Sequence, residues 1–152
     1  MATFNKFNIF VQDIGQKVHN LNTDSLKFLL SNTSPNVADT VVDTTTPPYT
    51  IKSTSNAAEI SNTNGYTAGG AALTAQGYTQ TSGTGKLTGT GPVWTATGSM
   101  GPFRYVALYN NTGGATATRP VIGWWDYGSG VTLALNETFT VSVSGSGILT
   151  IA

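Results

Sequence analysis

Arg119-Pro-Val-Ile-Gly-Trp-Trp-Asp-Tyr-Gly128 is the stretch whose reading decides the fold. Upstream lies a second dense apolar run, Phe103-Arg-Tyr-Val-Ala-Leu-Tyr109, and between the two sits Asn110-Asn-Thr-Gly-Gly-Ala-Thr-Ala-Thr118, built from turn formers. Two β-rich runs joined by such a loop predict an antiparallel hairpin, with Pro120 at the start of the second strand, where a missing N–H costs least. Neighbouring side chains on a strand point to opposite faces of its sheet, so Trp124 and Trp125 cannot share one side. One indole fills the core. The other needs a second layer, or another subunit, to cover its large apolar surface. Both readings stay open at this point.

Downstream, Val131, Leu133 and Leu135 alternate, Asn136-Glu137 turns the chain, and Phe139, Val141 and Val143 alternate again. Gly145-Ser-Gly147 makes a last turn into Ile148-Leu-Thr-Ile151. Upstream, Pro92-Val-Trp-Thr-Ala-Thr97 reads as a strand with Trp94 on one face and Val93 and Thr95 on the other, and Asp24–Asn32 reads as the first strand. Short strands between Gly-rich turns at about ten-residue spacing predict a mainly β chain, an antiparallel β-sandwich or jelly-roll-like domain.

Two segments stand outside that rhythm. Phe4, Phe7, Val11, Ile14, Val18 and Leu21 are spaced by threes and fours, which predicts one amphipathic α-helix over 4–21, with Phe10 widening its stripe. It packs on the β domain or, alternatively, on a neighbouring subunit. Residues 36–64 are rich in Thr, Asn and Pro and read as a long irregular loop or arm, after which 65–152 form the main β region of a single domain spanning 1–152.

Composition narrows the function. Charged side chains make up 9% of the 152 residues, against about 25% in ordinary soluble domains, and the formal net charge is zero. Thr, Ser, Asn and Gly must therefore make the surface, and near-zero charge removes a brake on contact between copies. The seven basic residues are scattered, which argues against nucleic acid, because binding a duplex needs a row of cations. There is no cysteine, so disulfides, iron–sulfur clusters and thiolate zinc sites are excluded. No apolar run approaches the ~20 residues that span a bilayer, and the opening residues lack a signal-peptide pattern, so neither membrane nor secretion is expected.

No motif reads as catalytic, metal-binding or cofactor-binding. His19 is the single histidine, placed on the expected helix with no carboxylate or hydroxyl nearby in sequence, which suits a structural role rather than a general base. Ser82-Gly-Thr-Gly-Lys86 is a Gly-rich turn and not a phosphate loop, since Gln80 and Leu87 stand where that motif needs Gly and Ser or Thr. Asp126 and Glu137 could pair as in a glycosidase, but the simpler reading has Asp126 ordering the turn after Trp125 or pairing with Arg104 or Arg119. No run of alternating Asp marks a calcium loop.

The runs Gly101-Pro-Phe-Arg-Tyr-Val-Ala-Leu-Tyr-Asn110, Ile122-Gly-Trp-Trp-Asp-Tyr-Gly128 and Val131-Thr-Leu-Ala-Leu-Asn-Glu-Thr-Phe-Thr-Val141 resemble small virion structural proteins of tailed bacteriophages. The opening Phe10-Val-Gln-Asp-Ile-Gly-Gln-Lys-Val-His-Asn-Leu21 is similar to their start, as is Asn64-Gly-Tyr-Thr-Ala-Gly-Gly70. The resemblance implies a non-enzymatic particle component, made in the bacterial cytoplasm. The expectation drawn from it is a capsid decoration (cement) protein on the outer shell, a homotrimer bound to the major capsid protein. The alternative is a receptor- or carbohydrate-binding tip of a tail or head fibre, with a host-surface glycan as partner. Trp124, Trp125, Tyr127, Arg104, Tyr105, Phe4, Phe7 and Val11 are the expected subunit or capsid contacts.

Overall fold

The structure is a computed structural model describing residues 2–114 and 117–152. Along the chain, β1 (Phe4–Lys6) and the helix α1 (Ile9–Gly15) precede β2 (Leu26–Ser31). Three short strands follow, β3 (Val41–Asp43), β4 (Thr50–Lys52) and β5 (Ala57–Ala58), and then β6 (Ala71–Ala72). The hairpin β7 (Thr74–Thr81) and β8 (Thr84–Thr90) leads through β9 (Val93–Thr95) to the long pair β10 (Met100–Asn110) and β11 (Thr118–Leu133). β12 (Thr138–Thr140) and β13 (Leu149–Ile151) close the chain. The protein is mainly β, antiparallel and sandwich-like, as the alternation of apolar and polar residues requires.

The hairpin read from Trp124 and Trp125 is its centre. β10 and β11 pair antiparallel, with Val106 opposite Trp125 and Ala107 opposite Trp124, and β2 pairs along the other edge of β10. The main sheet runs β5-β4-β3-β11-β10-β2-β6, with β1 beside β11. It curls until its β5 end meets β2 again: Ser31 bridges Glu59, the Ile60 N–H donates to the Leu30 carbonyl at 2.9 Å, and the Ser31 hydroxyl donates to the Ala58 carbonyl at 2.6 Å. Six strands thus form a nearly closed ring. Closure removes the exposed edges that an open sheet would present.

Leu29, Val42, Ile51, Ala57, Ala107, Tyr109, Val121 and Trp124 fill the ring, joined by Phe7. On the outer face, Leu26, Phe28, Leu30, Val106, Leu108 and Ile122, with Phe103 from the start of β10, share one core with Leu73, Leu87, Trp94, Ile148 and Leu149 from the two smaller sheets, β13-β8-β7 and β12-β9, and the residues that flank them. β2 therefore reads as a nearly unbroken apolar run because both of its faces are covered. A register shift between Leu108 and Tyr109 makes Ile122 the extra residue of a bulge. The bulge lets Val121 and Trp124, three positions apart, both face inward, while Ile122 and Trp125 belong to the outer layer.

Two sequence expectations are corrected. The helix over 4–21 is in fact α1 alone, seven residues long. Phe4–Lys6 pairs instead with Gly123–Trp125 as β1, and Lys17, just past α1, adopts the left-handed conformation with φ 61°. The three-and-four spacing is real but serves several surfaces: Phe4 packs on Trp125, Phe7 on Trp124, Phe10 in the outer core, and Val11 is 58% exposed. A long-range strand edge outcompetes a helix weakened by Gly15, because tertiary pairing outweighs local propensity. The irregular arm over 36–64 is likewise wrong, since it contains β3, β4 and β5 and supplies half of the ring.

Candidate functional site

Trp124 and Trp125 part company across the sheet as the alternation demands. Trp124 is 7% exposed and packs against Phe7 with ring centroids 4.6 Å apart. It is a core residue, and with Phe7 it is withdrawn from the expected contact surface. Trp125 is half-buried, held from behind by Phe4 at 5.0 Å and Phe28 at 6.0 Å, and its remaining surface lines a groove of about 430 Å³. Gly123 makes room for this arrangement, because a Cβ there would overlap the Phe4 ring and crowd the Asn5 carbonyl.

The floor of the groove is Phe28, Val106 and Trp125. Its wall is the segment from Phe139 to Ser144 together with Ile148, and Tyr127 and Ala2 form its lip. Tyr127 is 56% exposed and is braced by the edge of Phe139 at 5.9 Å. β12 ends at Thr140, and past the Val141 N–H, which donates to the Pro92 carbonyl at 3.0 Å, the backbone groups of Ser142 and Val143 have no hydrogen-bond partner among the described residues. The same holds for the Trp125 indole N–H and the hydroxyls of Tyr127, Thr140 and Ser142. Among the described residues, no charged side chain lines the groove.

The neighbouring charges are spent on one another. Arg104 donates to both Asp126 oxygens, at 2.7 and 2.8 Å, and the Gly128 N–H donates to Asp126 at 2.7 Å, so Asp126 both orders the turn and pairs with Arg104. The Arg104 bond, then the Gly128 bond, hold the Asp126 carboxyl below the usual carboxylate range. Arg104 also lies 5.4 Å from the centre of the Tyr105 ring, and Tyr105 packs on the ring interior. Of the expected contact residues, then, Trp125 and Tyr127 line the groove, with Phe4 behind Trp125. Arg104 and Tyr105 are internally partnered, and Val11 projects from α1.

The acids elsewhere act as staples. Glu59 is buried and accepts from the Tyr49 N–H, the Tyr66 hydroxyl and the Gly69 N–H, each at 2.8 Å, where β5 returns to β2. Burial pushes the Tyr66 hydroxyl well up, with the Glu59 charge adding to it. Burial also pushes Asp39 up, but the Ser55 hydroxyl and the N–H groups of Asn36, Ser55 and Thr54 outweigh it and leave the carboxyl below its ordinary value. Lys52 donates to Asp43 at 2.7 Å across the β3–β4 pair. Asp24 accepts from Asn20 and Asn110, and Glu137 accepts from Ala134.

His19 corrects a further expectation. It lies beyond α1, not on it, and it has a carboxylate neighbour: its Nε2 sits 3.7 Å from Asp13, while its Nδ1 sits 3.2 Å from the Asn110 amide nitrogen. Burial lowers the imidazole to about 4, against the opposing pull of Asp24, and burial raises Asp13. The ring is therefore neutral and structural at physiological pH. Ser82-Gly83 is the tight turn of the β7–β8 hairpin, with φ of 50° and 85°, the geometry of a two-residue hairpin loop rather than a phosphate cradle.

Sequence reasoning missed Phe139–Ser144 as a site wall. Its signal was present, an apolar alternation interleaved with Thr140, Ser142 and Ser144, but it looked like an ordinary surface strand. Fold and groove together define the class: a mainly β, antiparallel, sandwich-like protein with an uncharged aromatic groove. No protein-family model matches the chain, and no curated protein or solved structure matches it.

Proposed function

We propose that the protein is a non-enzymatic component of a tailed-bacteriophage particle, a capsid decoration (cement) protein that sits on the outer shell as a homotrimer and bridges copies of the major capsid protein. One observation supports this most. All seven acidic side chains are engaged in holding the fold: Asp24, Asp39, Asp43, Glu59, Asp126 and Glu137 accept hydrogen bonds, and Asp13 faces His19. None is left with the freedom and matched partner that general acid–base chemistry needs. What remains is a rigid, neutral body whose use is contact.

Such a body stabilises a shell by binding the assembled lattice in preference to free subunits, and weak contacts made together from one oligomer become strong. The test is to mix the purified chain with undecorated, expanded heads, then measure co-sedimentation and heat resistance. Saturable binding in many copies, raised heat resistance and a trimer by light scattering are the expected results. Binding to cells but not to heads, or a few copies per particle, overturns the reading.

A further inference from the structure

We infer that the groove beside Trp125 is a binding site for a neutral saccharide. The inference goes beyond a particle-building role and concerns what the exposed face recognises. Three features of the groove carry it, and two of them each exclude a class of ligand.

Among the described residues the lining holds no charged side chain, and the nearby ion pair Arg104–Asp126 is closed on itself. An anion or cation would lose hydration there without meeting a counter-charge. The aromatic surface is locked before any ligand arrives: Trp125 is wedged between Phe4 and Phe28, and Tyr127 stands against the edge of Phe139. Rigid rings of this kind give contact area with little ordering cost, and they suit the apolar C–H faces of a sugar ring.

The third feature is the set of free polar groups. Among the lining residues, the Trp125 indole N–H, the hydroxyls of Tyr127, Thr140 and Ser142, and the backbone at Ser142 and Val143 have no hydrogen-bond partners among the described residues. A hydrocarbon ligand would desolvate these donors and acceptors and return nothing. A ligand with apolar faces and hydroxyls on its rim answers both demands at once. The volume of about 430 Å³ falls among small-ligand sites and accommodates a mono- or disaccharide.

The experiment is titration of the full chain with glucose, galactose, N-acetylglucosamine and their β1,4-linked disaccharides, read by tryptophan fluorescence and calorimetry. At least one sugar should give a saturable response. Tyr127→Ala, at an exposed position that leaves the fold intact, should weaken it about tenfold, and Ser142→Glu should abolish it. Trp124→Phe, on the opposite side of the sheet, should leave affinity unchanged. Silence towards every sugar up to tens of millimolar overturns the inference, as does equal affinity in Tyr127→Ala and Ser142→Glu. Self-association that Tyr127→Ala abolishes also overturns it, because the groove is then filled by a second copy. Head binding is measured separately, so this inference and the particle reading fail independently.

Discussion

Two indoles adjacent in the chain occupy opposite kinds of environment. On the Trp124 side the sheet has curled around its own side chains, and every large group inside touches another from the same ring. On the Trp125 side the outer layer covers Leu26, Leu30 and Leu108 fully but stops short of the Trp125 edge, where the β12 pairing ends. The difference teaches where stability and recognition reside. The closed ring packs its apolar groups against one another and ties its seam with Glu59, whereas the groove keeps preorganised rings and free hydrogen-bonding groups at the surface.

The largest expected effect tests the closed side. Trp124→Ala should cost ~3–5 kcal/mol in urea or guanidinium unfolding, as a core aromatic truncation. Trp125→Ala should cost clearly less, because part of its surface already faces the groove. Equal losses would erase the distinction between the two sides.

Acid should act next. His19 has its folded pKa depressed to about 4 from 6.5, so its contribution is present above 6.5 and is lost as pH falls towards 4. The loss amounts to about 3 kcal/mol over that window. Asp13 is shifted up and works in the opposite direction near the carboxylate range, where the depressed Asp39 then adds its own loss below the ordinary value. Melting temperatures of the wild type and His19→Gln between pH 7 and 4 check this, with the variant giving the flatter profile.

At the seam of the ring, Glu59→Gln replaces an acceptor oxygen with an amide that faces N–H and O–H donors. A loss of about 1.5–3 kcal/mol is expected, measured by chemical denaturation, together with faster amide exchange at Gly69. The smallest effect belongs to the groove. Tyr127→Ala should change stability by less than about 0.5 kcal/mol. A larger loss would make Tyr127 part of the scaffold and not of a binding face.

Much of this was legible from local pattern. The β10–β11 hairpin, the opposed Trp pair, Trp94 on the face opposite Val93 and Thr95, and the pairing and turn roles of Asp126 all follow from strand alternation and turn chemistry. The N-terminal segment was not, because Phe4 and Phe7 keep helical spacing while the unpaired edge of β11 draws Phe4–Lys6 into a strand. β3, β4 and β5 were hidden for a related reason: two- and three-residue strands carry no periodicity of their own. The groove was half legible. Trp125 and Tyr127 stand out in the sequence, but Phe139–Ser144 reaches them only through the folded outer layer.

By itself, then, the sequence determined a mainly β antiparallel chain, a neutral surface, and two tryptophans on opposite faces. These depend on side-chain period, composition and turn residues, which are local. The tertiary structure decided that the sheet closes on itself, that the acids become staples, and that Trp124 is buried while Trp125 opens onto a groove. Those outcomes depend on which distant backbone edges find partners, and no short stretch of residues encodes that choice.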